Sequence, residues 1–335
     1  MRHFMLQAEV GDNAYGEDKA VEQLEAYCRA LFGVEAALFV TSGMLANRLA
    51  FLAQTNPGDE VITEYNYHVH FFDSAPSVAV CQVVLNPLRT SDGVIRVPDV
   101  AAALHSKPRY YYFAQVKLVS IENTINGYSG KVYPYEEITR LHAWTQQHNI
   151  NLHLDGARLF NAHVKTGIAL SAYGQMVDSL SVCFSKGLGA PFGSMLMGSQ
   201  ALIDKAKRHK MWLGSGYHQI GFNAQAAYYA LTHNIGRLQE DHDHAQLLAQ
   251  ILHELPEVTV APDQVETNIV QLHLAPLAIT AEQFCDACAQ KGLLLFPWLP
   301  AVVRMVVNKN VSEADIHQAG TIIKNVIKRF SHGHA

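Results

Sequence analysis

The sequence predicts an α/β fold: a large domain built on a mostly parallel, seven-stranded sheet with helices on both faces, followed by a small C-terminal α/β domain. Three observations carry this. From Ala36 to Phe192 short apolar runs alternate with amphipathic helical patterns, as parallel strands joined by helical crossovers do. The runs are apolar almost throughout rather than at every second residue, which fits strands covered on both faces. From about Ile235 the alternation gives way to a long polar helix and further strands. The boundary is therefore placed between a large domain of residues 1–235 and a C-terminal domain of residues 236–335.

The elements follow in order. Strands are expected at Ala36 to Val40, Val61 to Thr63, Val78 to Leu85, Tyr110 to Phe113, Val116 to Glu122, Asn151 to Leu154 and Ser179 to Phe184, each a short run of aliphatic, β-branched or aromatic residues. Helices are expected at Met44 to Gln54 and Tyr135 to His148, where apolar residues recur at helical spacing. In the second domain the pattern gives a helix from Arg237 to Leu255, strands at Thr267 to His273 and Val302 to Val307, and a helix from Ser312 to Phe330. Ser312 and Asp315 open that last helix as a capping box. Cys285 and Cys288 have the CxxC spacing, but they fall in a helical pattern closed by Gly292 and read as two core-facing cysteines rather than a redox pair. Asp241-His242-Asp243-His244 reads as a solvated helix face rather than a metal site, and no metal is expected.

Composition narrows the function classes. The chain has 335 residues, 49% hydrophobic and 16% charged, with a net charge of −5. Mild acidity without a basic run gives nucleic acid no purchase. No run approaches the roughly 18 apolar residues of a membrane span, and the N-terminus does not read as a secretory signal. Five cysteines in a chain of this size do not make a disulfide framework, so a cytoplasmic setting is expected.

The chemistry is concentrated at two strand ends. Ser181-Val182-Cys183-Phe184-Ser185 runs into Lys186 and then a glycine-rich turn, and Asn151-Leu152-His153-Leu154 ends in Asp155-Gly156-Ala157-Arg158. A lysine amine that condenses with an aldehyde, paired with a carboxylate that keeps a pyridine nitrogen protonated, is what pyridoxal 5'-phosphate (PLP) chemistry requires. Either residue alone would be an ordinary surface lysine or capping aspartate; together, beyond the C-terminal ends of strands, they point to this cofactor. Ser42-Gly43-Met44 opens a helix directly after a strand, and its free N–H groups and helix dipole suit the phosphate. Arg304 interrupts an otherwise apolar strand and calls for an anionic partner, such as an amino-acid carboxylate.

These segments, LHLDGARLFNA and SVCFSKGLGAPFGS, together with GDNAYGED at Gly11 to Asp18, EAALFVTSG at Glu35 to Gly43, GDEVI at Gly58 to Ile62 and IENT at Ile121 to Thr124, resemble the low-specificity L-threonine aldolases of the aromatic amino acid beta-eliminating lyase group. The similarity runs in order from about Ala8 to Arg304. It implies the fold-type-I PLP architecture, Lys186 as the cofactor lysine and Asp155 as the pyridine partner. It also implies His68 stacked on the ring (His70, two residues on, is the alternative) and Glu122 in the cofactor site. Arg158 is placed near the cofactor and the substrate carboxylate, Arg304 on that carboxylate, and Tyr15 among the substrate-binding residues, at a site completed across a subunit interface. A homodimer or homotetramer acting on a small amino acid is expected, with threonine or allo-threonine cleaved to glycine and an aldehyde.

The chain departs from the family pattern in places. Met44 stands where the family usually has threonine, removing a hydroxyl while leaving the backbone donors. Ile125 replaces the histidine of ENTHN, which assists removal of the substrate β-hydroxyl proton. His218 stands where many members have an arginine, and the family's N-terminal segment with a substrate-contacting serine is not matched. These changes keep two alternatives in view: β-elimination, racemisation or transaldolase chemistry on another amino acid, and a non-catalytic regulatory protein of the same fold.

Overall fold

The computed structural model describes residues 1–108, 110–277 and 279–332. The chain divides into two compact units, one of Met1–Gly127 with Tyr133–Gly236, the other of Tyr128–Val132 with Arg237–Ala335.

The first unit is built on a seven-stranded sheet. Its strands are β1 (Ala36–Val40), β2 (Glu60–Glu64), β3 (Val84–Leu88), β4 (Val116–Glu122), β5 (Asn151–Gly156), β6 (Ser179–Cys183) and β7 (Ser194–Gly198), in the order β1-β7-β6-β5-β4-β2-β3. Strands β3, β2, β4, β5 and β6 pair in parallel, while β7 lies antiparallel between β6 and β1. Strands β1, β2, β6 and β7 are buried along their whole length, as a sheet covered on both faces requires. The helix Gly43–Gln54 lies against it, capped by Ser42, whose Oγ accepts from the Leu45 N–H at 3.2 Å.

Three local expectations change. The Val78–Cys81 run is the end of a helix, Ser74–Cys81, closed by Gln82 in the left-handed region at φ 56°. Val78 and Val80 are exposed, so their β-branched character reflects no buried strand. The strand itself is β3, at the sheet edge, where Pro87 forfeits no interior ladder bond. Tyr110–Phe113 forms a turn rather than a strand, its three tyrosines exposed, Tyr110 stacked on Tyr112 and Tyr111 edge-on to it. The seventh strand is β7, whose Met195-Leu196-Met197 run lacks the β-branched signal that marks its neighbours.

The second unit carries an antiparallel sheet of β8 (Ile269–His273), β9 (Phe296–Leu299) and β10 (Val302–Val306), with β10 in the middle. The helices Leu238–His253, Ala281–Ala289 and Glu313–His332 contribute to its core. Cys285 and Cys288 face that core, and burial pushes their thiols up to about 11 and about 12. The Asp241–His244 segment is not a solvated face. Asp241 is fully buried in an ion pair with Arg237 at 2.7 Å, and His242 and His244 are buried beside it.

Candidate active site

The loops at the C-terminal ends of the parallel strands gather most of the residues singled out above. Asp155 is on β5, Lys186 follows β6, Glu122 ends β4, His68 follows β2 and Ser42 follows β1. Because β4, β5 and β6 are parallel neighbours in register, with Glu122 opposite Asp155 and Asp155 opposite Ser181, their ends open on one side of the sheet.

Asp155 is buried, and both its oxygens are engaged. Oδ1 accepts from the Ala157 N–H at 3.0 Å and Oδ2 from Asn47 Nδ2 at 2.7 Å. Lys186 is half-buried in a turn tied by the Gly189 N–H to its own carbonyl at 2.8 Å. The two groups, with Asp73 and Arg158, act electrostatically on His68. That imidazole is 28% exposed, and burial outweighs the carboxylates to hold its pKa below 6.5, so it stands neutral at neutral pH. Its Nδ1 lies 3.8 Å from Asp73 Oδ2, and Asp73 is itself held by Arg48 at 3.2 Å. His70, the alternative, turns its Nδ1 to the Tyr65 carbonyl at 2.7 Å and packs at a tilt against the Tyr65 ring.

Glu122 receives two backbone donors, the N–H groups of His68 at 2.6 Å and Asn126 at 2.7 Å. Burial, then the nearby Asp155 charge, pushes its carboxyl up to about 7. It thereby seats the loop that carries His68. Arg158 is half-buried and directs Nη1 to Asn126 Oδ1 at 3.3 Å. Gly43 marks a close approach: a Cβ there would fall 2.6 Å from Cys183 Sγ, so the helix start can sit against the end of β6 only without a side chain. Met44 is exposed beside it.

Other positions singled out in the sequence have surroundings of their own. Ile125 is wholly buried and presents nothing to an open site. Tyr15 is 80% exposed in the loop before the first long helix. His218 pairs with Asp12 at 2.8 Å. Arg304 belongs to the second unit, in β10, where its guanidinium lies over the rings of Phe296 and Trp298 at 4.9 and 4.7 Å. Sequence reasoning did not pick out Asn47, His153, Ser179 or Ser181, all buried around Asp155. The signal for the three strand residues was polar side chains at every second position in two strands otherwise apolar enough for the core, and for Asn47 a lone amide on the buried face of an apolar helix.

Comparison with known proteins places this arrangement. A sequence model of the beta-eliminating lyase family matches residues 1–275. Low specificity L-threonine aldolase of Escherichia coli strain K12 is 40% identical over 255 residues, covering 76% of this chain and 75% of the relative. Low-specificity L-threonine aldolase 1 of Arabidopsis thaliana is 33% identical over 320 residues, covering 95% and 89%. Among solved structures, a threonine aldolase of Leishmania major superposes with a TM-score of 0.80 at 20% identity, over 93% of this chain and 91% of that one.

Proposed function

The chain belongs to the beta-eliminating lyase family of PLP-dependent enzymes, and from that premise we propose that it cleaves a β-hydroxy-α-amino acid, such as threonine or allo-threonine, to glycine and an aldehyde. The observation that carries the proposal is the convergence of Lys186, Asp155, Arg158 and a neutral His68 at the ends of adjacent parallel strands.

The residues fit PLP at Gly43, where a helix N-terminus comes so close to Cys183, at the end of the strand that leads to Lys186, that no Cβ could stand between them. Ser42, Gly43 and Met44 would hold the phosphate through the first-turn N–H groups, which have no partner within the helix. Lys186 would supply the amine, Asp155 would face the pyridine nitrogen, and His68 would cover the ring, seated by Glu122. When bound, the cofactor supplies an aldehyde for the substrate amine and a ring that accepts the electron pair left at Cα.

The chain's own residues then have defined tasks. Arg158 would grip the substrate carboxylate and so fix which bond at Cα is broken, and the family resemblance gives Arg304 the same task. His68 Nε2, with Nδ1 directed toward Asp73, would take the proton from the β-hydroxyl, because Ile125 has none of that capacity. Exposed Tyr15 and the glycine-bearing Gly214–Gln219 turn, open at Tyr217, His218 and Gln219, would meet a neighbouring subunit in a homodimer or homotetramer, which light scattering at assay concentration tests. Among the described residues no helix is long and apolar enough to cross a membrane. All five cysteines are free and buried, which suits a cytoplasmic setting.

Buried Ile125 also favours a second reading, β-elimination or α-proton exchange, which need no base for a β-hydroxyl at that place. One experiment separates the two. The protein is loaded with PLP, trapped with borohydride and mapped, and the label is expected on Lys186. The untreated holoenzyme is then given threonine, allo-threonine, phenylserine and serine while glycine, aldehyde and keto acid are assayed. Keto acid without glycine overturns the aldolase proposal; a label on another lysine overturns the site.

A further inference from the structure

Behind Asp155 runs a buried line of polar groups. Asn47 Nδ2 donates to Asp155 Oδ2, and Asn47 Oδ1 accepts from Ser181 Oγ at 2.8 Å and faces His153 Nε2 at 3.1 Å. His153 Nδ1 lies 2.7 Å from Ser179 Oγ, which accepts from Gln54 Nε2 at 2.7 Å. Gln54 Nε2 also donates to the Ala50 carbonyl at 2.9 Å. The fold brings these groups together simply. Asn47 and Gln54 are two helical turns apart on one face of the helix Gly43–Gln54. His153 and Asp155 alternate on β5, opposite Ser179 and Ser181 on β6.

The line has one direction, and both ends set it. At one end a carboxylate oxygen can only accept, so Asn47 must present its NH2 there and its carbonyl to His153 and Ser181. His153 must then carry its proton on Nε2 and leave Nδ1 bare for the Ser179 hydroxyl. At the other end the Ala50 carbonyl orients the Gln54 amide as a donor, so Ser179 accepts from Gln54 and spends its own proton on His153. Every group therefore donates toward Asp155. Burial holds the His153 pKa down at about 4, and the ring of Phe51 packs against it edge-on at 5.9 Å. The imidazole thus remains neutral, as this arrangement requires.

We propose that Asn47, held in orientation by His153, Ser179 and Ser181, is a positioning residue for the cofactor: it fixes the plane in which the Asp155 carboxylate meets the pyridine nitrogen. The inference rests on the assignment of Asp155 to that nitrogen. With Oδ2 held by Asn47 and Oδ1 by the Ala157 N–H, the carboxylate cannot rotate, and its remaining lone pairs are aimed by the protein rather than by the ligand.

The test has two arms. The first needs no cofactor: 15N-histidine spectra of the apoprotein, with His153→Gln identifying the signal, should show His153 protonated on Nε2 and bare on Nδ1 down to pH 5. The opposite tautomer, or a ring that titrates between pH 6 and 7, overturns the proposal. In the second arm, Asn47→Ala should weaken PLP binding by about ten- to a hundredfold, the scale of one lost hydrogen bond to a charged group. It should lower kcat with little change in the amino-acid KM. If Asn47→Ala does not fold, the His153 pair decides. His153→Gln keeps a donor for Asn47 and an acceptor for Ser179, so it should retain the parent's PLP affinity and bound-cofactor absorption, whereas His153→Leu should lose both in part. Equal PLP affinity in folded His153→Gln and His153→Leu overturns the proposal, because a packing role alone would move only their melting temperatures. Asp155→Asn separates the levels. If it leaves PLP binding and turnover untouched, the assignment of Asp155 fails; if it is crippled while Asn47→Ala behaves as the parent, only the positioning role fails.

Discussion

Gly43→Ala puts the geometry of the helix start to a quantitative test. The added Cβ would fall 2.6 Å from Cys183 Sγ, against an ordinary contact of 3.4–4 Å, so the helix start must retreat by about 1 Å. Beyond its own helix and chain neighbours, among the described residues, the new methyl would otherwise meet Ser194 Oγ at an ordinary 3.9 Å, so the conflict lies with a single sulfur. A retreat of that size pulls the first-turn N–H groups away from a phosphate whose hydrogen bonds are worth about 1.5–3 kcal/mol each. The PLP dissociation constant should therefore rise about ten- to a hundredfold, measured by equilibrium dialysis. Cys183→Ala removes the obstructing atom. Alone it leaves the Ser194 hydroxyl, now 3.3 Å from that sulfur, without its partner, a loss of about 1 kcal/mol in stability. Added to Gly43→Ala it should restore PLP affinity to within a few-fold of the parent. Unchanged PLP affinity in Gly43→Ala, or no recovery in the double variant, refutes the assignment of this helix start to the phosphate.

Arg304→Ala should raise the amino-acid KM roughly ten- to a hundredfold with PLP binding intact; a lower melting temperature with KM unchanged would mean that its role is structural. Ile125→His should not recover aldol cleavage, because the position is wholly buried and an imidazole there costs about 1–3 kcal/mol of stability; a gain in kcat on threonine would show that the site reaches it. The Glu122 carboxyl, raised to about 7, binds a proton in the folded state that the unfolded chain releases near 4.5. The stability it contributes is thus full below that lower value and falls as pH rises to 7, by about 3 kcal/mol. Denaturant titrations should find this slope in the parent and lose it in Glu122→Gln.

The sequence made the site legible where chemistry and fold coincide. Lys186 and Asp155 sit at the ends of buried strands marked by their aliphatic residues, and a charged residue in that place has few roles. Legibility failed where local composition and burial part company. Val78 and Val80 are β-branched yet exposed on a helix, and Met195-Leu196-Met197 is a buried strand with side chains that suit helices equally well. Asp241, His242 and His244 look like surface residues, but a partner on the preceding turn, Arg237, lets Asp241 go inside. The line behind Asp155 was hidden for a different reason. Its members lie on three separate elements, and only the register of β5 with β6 brings them together.

The antiparallel course of β7 has a consequence for the lysine loop. A parallel successor to β6 would have needed a crossover helix, leaving Lys186 at the head of a long excursion. Here the chain reverses and re-enters the sheet beside the strand it has just left. The Phe184 N–H meets the Gly193 carbonyl at 3.1 Å and the Ala190 N–H meets the Phe184 carbonyl at 2.9 Å. Lys186 is therefore a flexible arm on a fixed pivot. As the cofactor lysine proposed above, it would release and recover its partner through its own side-chain torsions, from a loop tied back to the strand on either side.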